Sequence, residues 1–153
     1  MDIRDILLPE AVLAGLKVTS KKQVLQELSR HAATVTGLNE RKIFETLLER
    51  ERLGTTGVGN GIAIPHGKLA ELTRLRGVFA RLDKPINFDA IDEQPVDLIF
   101  LLLAPEGAGA DHLKALARVS RLLRDTATCE KLRGAKTADG LYLLLTASEA
   151  QAA

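Results

Sequence analysis

The residues best suited to do chemistry lie in one stretch, Gly54–Lys68, which reads GTTGVGNGIAIPHGK. Its only histidine, His66, stands between Pro65 and Gly67. An imidazole can be a nucleophile or a base near neutral pH, because its ordinary pKa is about 6.5. Proline keeps the preceding backbone extended and glycine leaves room beside the ring, so the pattern predicts a half-buried histidine presented at a strand end. A lone histidine in a loop is more often a plain surface residue, so local spacing leaves both interpretations open.

The glycines just before this histidine form a second candidate feature. Gly57, Gly59 and Gly61 superficially match the dinucleotide-binding fingerprint. That fingerprint needs a strand before the glycines and a helix after them. Here a helical pattern precedes them and the alternating IAIPHG follows, so we reject a nucleotide site. The glycines predict a flexible turn with few side chains, which another molecule can approach closely.

A second histidine lies in GAGADHLKAL, where a helix is predicted to begin. Asp111 and His112 fall in or next to its first turn. Free N–H groups and the helix dipole favour an anion at this end and keep an imidazole neutral. The alternative without a function is that Asp111 only caps the helix and that His112 is a solvated side chain.

The remaining charged and metal-binding candidates are weaker. We expect most of Glu49–Arg52 to be a solvated helix end, although one of its arginines could reach the glycine turn, where a guanidinium suits phosphate oxygens. His31 is expected to be a packed boundary residue of a helix. The three histidines and the single cysteine, Cys129, have no metal-ligand spacing, so we predict no metal and no cofactor. The sequence contains no G-x-S-x-G motif, so a serine hydrolase is not predicted.

Length and composition limit the classes of protein to which this chain can belong. The 153 residues suit one domain, and a net charge of +1 lacks the basic signature of nucleic-acid binding. One cysteine allows no disulfide framework and favours a reduced, cytoplasmic setting. The longest apolar run, Leu98–Ala104, is too short to cross a bilayer, so no membrane insertion is expected.

Two helices are predicted before the glycine turn. Ser20 followed by Gln23 has the capping-box pattern, and Gly37 is a plausible end for the first helix. Asn39 can cap a second helix that ends near Gly54. The predicted buried side of this helix consists of Ile43, Phe44, Leu47 and Leu48.

Three strands and two more helices are predicted after it. IAIPHG, GVFARLD and the almost wholly apolar VDLIFLLLAP are typical of strands, the last buried on both faces. DHLKALARVSRLLRD predicts an amphipathic helix, and a final helix is expected around Leu141–Leu145. The apolar stripe of the amphipathic helix is predicted to be Leu113, Leu116, Val119, Leu122 and Leu123. We therefore predict an α/β fold with a central mixed β-sheet flanked by helices, a single domain over residues 1–148 and a frayed tail over 149–153.

Two blocks of the sequence together resemble a known family. LLERERLGTTGVGNGIAIPHGKL and QPVDLIFLLLAPEGAGADHLKALARVSRLL resemble the IIA components of the bacterial phosphotransferase system (PTS), fructose/mannitol type. The resemblance is greatest to the nitrogen-regulatory branch and extends from about Asp5 to Leu145. It implies the EIIA type-2 sandwich fold.

The resemblance also implies roles for three residues. His66 would accept a phosphoryl group, through Nε2, from a small phosphocarrier protein that is NPr-like or HPr-like. His112 would support it, either by donating to a phosphoryl oxygen or by orienting His66. Arg50, at the end of the preceding helix, would stabilise the charge of the phosphoryl group.

Two functions follow from the resemblance. In the first, the protein is a phosphocarrier that regulates target proteins of nitrogen and potassium control according to its phosphorylation state. In the second, it is a sugar-transport IIA component that passes phosphate to a fructose/mannitol-type IIB domain. Neither function implies a cofactor, a nucleic acid or a membrane span.

Overall fold

A central mixed β-sheet organises the molecule. The computed structural model describes the backbone of residues 2–152 and the side chains of residues 2–147, so the side chains of the predicted tail, residues 149–153, lie outside it. The strands are β1 Val12–Leu16, β2 Gly57–Gly59, β3 Ile62–Ala63, β4 His66–Leu69, β5 Arg76–Ile86 and β6 Val96–Pro105. Their order is β1-β5-β6-β3-β2, and β4 also pairs with β6. The pairs β1–β5, β3–β6 and β4–β6 are parallel, whereas β5–β6 and β2–β3 are antiparallel. The predicted mixed sheet is confirmed.

Strand β6 lies in the middle of the core. Residues 98–104 are all buried, and successive side chains of a strand point to opposite faces, so helices cover both faces of the sheet here. Phe100 packs edge-on against Phe79 of β5, with ring centroids 6.2 Å apart. The parallel ladder from β6 to β4 fixes the position of His66, which pairs with Leu102.

Two groups of helices flank the sheet. The helices are α1 Ile3–Ile6, α2 Lys21–Thr36, α3 Glu40–Arg52, α4 Ala110–Arg124, α5 Thr126–Gly134 and α6 Ala138–Ala152, with short 3-10 turns at Pro9–Ala11 and Glu106–Ala108. In the first group α2 packs on α3, and these contact β5 and β4 respectively. In the second group α4, α5 and α6 pack in succession, with α4 against β6 and α6 against β1. Within the described part of the chain, no helix has an apolar stretch that could cross a membrane.

The predicted starts of α2 and α3 are confirmed by their caps. The side chain of Ser20 accepts the N–H of Gln23 at 3.1 Å, and that of Asn39 accepts the N–H of Lys42 at 3.0 Å. The capping box differs in one respect, because the Gln23 side chain accepts the N–H of Thr19 and not that of Ser20. Gly37 ends α2 with a φ of +76°, as predicted.

The region around His66 differs from its prediction. IAIPHG is not one strand, because β3 ends at Ala63 and β4 begins at His66. Pro65 has no N–H for the ladder, although its carbonyl accepts the N–H of Leu102 at 2.9 Å. His66 therefore begins a strand and does not end one.

The glycine segment is a hairpin, so the predicted flexible turn is wrong. Strand β2 pairs antiparallel with β3. The turn that connects them is Asn60 and Gly61, whose φ values are +57° and +80°. Two positive φ values in an Asn-Gly pair are typical of a type I′ hairpin turn. The carboxylate of Asp92 accepts the Asn60 N–H at 2.9 Å, and Arg133 Nη2 donates to the Asn60 carbonyl at 2.9 Å. Both backbone polar groups of Asn60 are thereby held.

The buried stripe of α4 also differs from its prediction. Leu113 is 68% exposed, whereas His112 is only 6% exposed. The helix begins at Ala110, after Gly109 with a φ of +54°, and this start directs position 112 inward. Spacings of three and four residues then place the following buried residues on one face: His112, Ala115, Val119, Leu122 and Leu123.

Gly67 is predicted to tolerate no side chain, because α3 crosses β4 closely there. A Cβ at this position would lie 2.8 Å from Thr46 Cγ2. We expect Gly67→Ala to lower the free energy of unfolding by about 1–3 kcal/mol, measured by urea unfolding. Thr46→Ser removes the clashing methyl group and should recover part of the loss. Gly107→Ala is the matched control, since a Cβ there meets nothing within 4 Å. Equal effects of the two glycine substitutions would contradict this account.

Candidate active site

His66 presents one ring nitrogen as a lone pair. Its Nδ1 lies 2.8 Å from the carbonyl oxygen of Ile64. A carbonyl oxygen only accepts hydrogen bonds, so this contact assigns the proton to Nδ1 and leaves the lone pair on Nε2. The ring is half-buried at the start of β4. The nucleophilic atom of this histidine is therefore Nε2, in a fixed orientation.

Arg50 lies directly at that nitrogen. Its Nε donates to His66 Nε2 over 3.3 Å, and its Nη1 donates to the carbonyl of Gly54 at 2.9 Å. The last turn of α3 thus holds a guanidinium between the imidazole and the segment before the hairpin. A bond of 3.3 Å is long, so an anion arriving at Nε2 can replace it and still find the cation in place.

His112, in the first turn of α4, is the third residue of the group. The rings of His66 and His112 have centroids 5.7 Å apart and planes at 67°. The Nε2 atom of His112 is buried and has no hydrogen-bond partner among the described residues. An unpaired buried polar atom costs about 1–3 kcal/mol, so an acceptor that reached this nitrogen would stabilise the site.

The structure therefore brings together all three residues singled out by the sequence, His66, His112 and Arg50. The interpretation of His112 as a solvated side chain is wrong, because α4 buries it. Among the side chains that the structure describes, no three histidine, cysteine or acidic residues are grouped to hold a metal ion. The chemistry that this arrangement supports is nucleophilic attack by Nε2 on an anionic group.

The surroundings of both imidazoles favour the neutral form over the charged one. Burial lowers the pKa of His66, and the nearby guanidinium of Arg50 lowers it further. The Ile64 carbonyl and the Glu51 carboxylate oppose this shift, but the pKa remains below its ordinary value. Burial likewise lowers the pKa of His112, with help from the charges of His66 and Lys68. A neutral ring keeps the lone pair that attack requires.

These shifts predict how stability depends on pH. The unfolded chain binds protons on these histidines below about pH 6.5 and the folded chain resists doing so, so the free energy of unfolding should decrease as pH falls through that value. Above it, these two groups add no pH dependence. Carboxylates remain ionised down to about pH 5, so the histidines dominate this range. The pKa of His31 is also lowered by burial, so His31→Ala is used as the background for the unfolding measurement. NMR titration of the ring signals, with urea unfolding across the same range, checks this. A midpoint of His66 or His112 at or above that of a free histidine would contradict it.

Glu51 is a functional candidate that the sequence interpretation missed. The prediction of a solvated helix end is wrong for this residue, which is 9% exposed. Its carboxylate lies 2.9 Å from Lys21 Nζ and accepts the N–H of Thr56 at 3.0 Å. The signal was present, because Ile43, Leu47 and Glu51 follow one another at four-residue spacing on the buried side of α3.

Three large apolar side chains that are close in the sequence to the site residues are exposed. Leu53 at the end of α3 is 85% exposed, and Leu113 stands next to His112 in the sequence. Val58, in the glycine hairpin, is also exposed. Leu53 and Leu113, which lie close to Arg50 and His112 in the sequence, are therefore candidates for a surface that meets another protein.

Comparison with known proteins shows the family and the fold of the chain. Residues 5–148 match the family model described as "Phosphoenolpyruvate-dependent sugar phosphotransferase system, EIIA 2". A Bradyrhizobium diazoefficiens protein named "Nitrogen regulatory protein" is 61% identical over 153 residues, 100% of each chain. The crystal structure of nitrogen regulatory protein IIA-Ntr from Neisseria meningitidis is similar with a TM-score of 0.89 and 36% identity, over 94% of this chain and 99% of that one.

A more distant likeness concerns the fold alone. The mannitol enzyme IIA of Escherichia coli, solved in complex with phosphorylated enzyme IIB, has a TM-score of 0.75 at 21% identity, over 89% of this chain and 94% of that one. The expected fold and the resemblance to the nitrogen-regulatory branch are both confirmed. The match over residues 5–148 and the relative that is similar from end to end place this chain in the EIIA type-2 family of the phosphoenolpyruvate-dependent sugar phosphotransferase system.

Proposed function

We propose that this protein is a nitrogen-regulatory PTS IIA phosphocarrier. His66 accepts a phosphoryl group from a phosphorylated carrier protein, NPr-like or HPr-like, and the phosphorylation state governs binding to target proteins. The observation that carries the proposal is the orientation of the His66 ring, whose Nδ1 contacts the Ile64 carbonyl and whose Nε2 faces Arg50. A cytoplasmic location and a single functional domain over residues 1–148 are part of the same proposal.

The transfer is an in-line displacement at phosphorus. The Nε2 lone pair of His66 forms the new N–P bond while the bond from phosphorus to the donor breaks, and its electron pair stays with the donor. The ring becomes positively charged as the bond forms. The Ile64 carbonyl, which accepts from Nδ1–H, stabilises that charge without any proton leaving the ring. Little covalent work remains for the protein, so alignment and charge stabilisation carry the catalysis.

Arg50 and His112 act on the phosphoryl oxygens. The Arg50 guanidinium gives up its long bond to Nε2 and offsets the negative charge of the oxygens. His112, as an Nε2–H donor, would give a phosphoryl oxygen the hydrogen bond that its buried Nε2 lacks. The bound phosphoryl group would then satisfy the one atom of the site that has no partner in the described chain.

His112→Ala is expected to slow uptake by about 100-fold and to leave the final stoichiometry unchanged. The reason is that one hydrogen-bond donor to the transferring group is lost while the acceptor, His66, remains. Rapid-quench measurement of the phosphorylated fraction checks this. Ser120→Ala, further along α4, is the matched control and should react like the wild type. Wild-type rates in His112→Ala would contradict the assigned role.

Phosphorylation of His66 would change the charge of the protein surface. A phosphoryl group adds about −1.5 to −2 charges near neutral pH, by analogy with other phosphorylated side chains. On a surface that also exposes Leu53 and Leu113, it would favour one set of partners and repel another. Proteins of nitrogen and potassium control are the proposed targets, and the name of the Bradyrhizobium relative supports a regulatory role.

Intact-protein mass spectrometry tests the proposal directly. The protein is incubated with phosphoenolpyruvate and a carrier chain already shown to act on another IIA protein. A gain of one acid-labile phosphoryl group is expected, and no gain would overturn the proposal. The phosphorylated protein is then mixed with a fructose/mannitol-type IIB domain. Rapid transfer to that domain would overturn the regulatory proposal in favour of a sugar-transport function.

A further inference from the structure

Glu51 is a buried carboxylate next to the arginine of the site. It occupies the position on α3 that continues the buried pair Ile43 and Leu47, and it is only 9% exposed. A charge at such a position is costly unless it is paired and hydrogen-bonded. An apolar residue would be buried there at a lower free-energy cost. The contacts of the carboxylate must therefore offset the cost of burying it.

The two oxygens of this carboxylate bind three donors. Oε1 accepts the N–H of Thr56 at 3.0 Å and lies 2.9 Å from Lys21 Nζ, and Oε2 accepts the Thr56 hydroxyl. Lys21 Nζ in turn lies 4.7 Å from the ring centroid of Phe88. One side chain thus joins the end of α3, the segment before β2 and the start of α2.

A first path of hydrogen bonds leads from Glu51 to the imidazole. The N–H of Thr56 binds the carboxylate, and the carbonyl of Thr56 accepts the N–H of Ile64 at 3.0 Å. The carbonyl of Ile64 then accepts from His66 Nδ1 at 2.8 Å. Thr56 and Ile64 are therefore the only residues between Glu51 and the bond that sets the tautomer of His66.

A second path leads from Glu51 to the guanidinium. The backbone carbonyl of Glu51 accepts the N–H of Gly54 at 3.1 Å, and the carbonyl of Gly54 accepts from Arg50 Nη1 at 2.9 Å. The short segment between α3 and β2 is thus fixed at Gly54 and at Thr56. The bond from Arg50 Nε to His66 Nε2 closes the ring of contacts.

We infer that Glu51 is a positioning residue for phosphoryl transfer. Through Thr56 it holds the Ile64 carbonyl against His66 Nδ1, and through the same fixed segment it holds Arg50 at Nε2. Glu51 does not touch the transferred group. The inference rests on the proposed function for what is transferred, but the ring of hydrogen bonds is a property of the protein alone and is tested separately.

Glu51→Gln tests this role with almost no change in shape. Glutamine offers one acceptor oxygen and no charge, so it cannot bind both donors of Thr56 together with Lys21. We expect the uptake rate at saturating donor to fall about 10- to 100-fold, because the nucleophile loses its alignment. The donor concentration for half-maximal rate should stay unchanged, since Glu51 is not on the docking surface. In nitrogen NMR spectra, the ring of His66 should shift from the Nδ1–H form to a mixture of tautomers.

The matched control weakens the same helix at its other end. Asn39→Ala removes the N-cap of α3, far from the site, and should leave the rate and the His66 tautomer unchanged. Should Glu51→Gln fail to fold, Thr56→Val removes the hydroxyl donor to Oε2 alone and should give a smaller loss of the same kind. An unchanged rate and tautomer in the variant that folds would overturn the inference, as would an equal loss of rate in Asn39→Ala.

Failure of the proposed function gives a different pattern. In that case the wild type itself takes up no phosphoryl group, whatever the state of Glu51. The tautomer of His66 then decides the inference on its own. A mixture of tautomers in Glu51→Gln beside pure Nδ1–H in the wild type and in Asn39→Ala supports it, and the same tautomer in all three overturns it.

Discussion

His66→Ala should take up no phosphoryl group from a phosphorylated carrier protein under conditions in which the wild type is fully modified. The substitution removes the nitrogen whose lone pair is oriented towards Arg50, the Nε2 of the half-buried His66 ring. His112 cannot take over, because its ring is buried and a docked donor would have to reach past the vacated position. The loss should therefore be complete within the detection limit of intact-protein mass spectrometry.

His31→Ala is the control for this experiment. It also removes an imidazole whose pKa burial lowers, but from the half-buried face of α2. It should gain one acid-labile phosphoryl group at the wild-type rate. Urea unfolding of His66→Ala should confirm that the variant is folded. A phosphoryl group on a folded His66→Ala protein would place the acceptor elsewhere and would remove the basis of the proposed function.

The sequence predicted the elements that local chemistry determines. Ser20 and Asn39 have side chains that cap helices, and the apolar residues of VDLIFLLLAP suit a strand covered on both faces, so α2, α3 and β6 could all be predicted. These signals need no partner from elsewhere in the chain. The pairing of parallel strands does need one, and for that reason the short strand β1 was missed. The interruption at Pro65 had a local signal, the missing N–H of proline, which the strand prediction did not take into account.

The site shows the same division between local and distant signals. His66 was singled out by its neighbours in the sequence, but its tautomer depends on the carbonyl of Ile64 in the final geometry. The inward orientation of His112 was not predictable, because Leu113 fits an apolar stripe equally well and only the start of α4 decides between them. Glu51 was missed because a charged residue near a helix end is usually solvated, and nothing local shows that Thr56 and Lys21 meet it.

The other large effect is expected at Arg50. Its guanidinium is the cation that contacts the attacking nitrogen, and the Gly54 carbonyl keeps it there. The charge on the transferring phosphoryl oxygens should be offset by this group while the N–P bond forms. Arg50→Ala is expected to slow uptake at saturating donor by about 100- to 1,000-fold, the cost of removing one preorganised donor from a transition state. Rapid-quench kinetics with the phosphorylated carrier measures this.

Arg50→Lys separates charge from geometry. An ammonium group keeps the positive charge but lacks the planar fork, so it cannot bind the Gly54 carbonyl and the site of transfer together. We expect a rate between those of the alanine variant and the wild type. A rate equal to that of the wild type would mean that charge alone suffices and that the hydrogen bond to Gly54 has no role.

Arg52→Ala decides whether the effect of Arg50 is local. Both arginines lie in the last turn of α3, and both removals change the net charge by the same amount. Arg52 is exposed, whereas Arg50 is half-buried against His66. If Arg50 acted only through the overall field that attracts a donor, the two substitutions would raise the half-saturating donor concentration equally and would leave the maximal rate alone. The contact at Nε2 predicts the opposite, a lower maximal rate in Arg50→Ala and an unchanged one in Arg52→Ala.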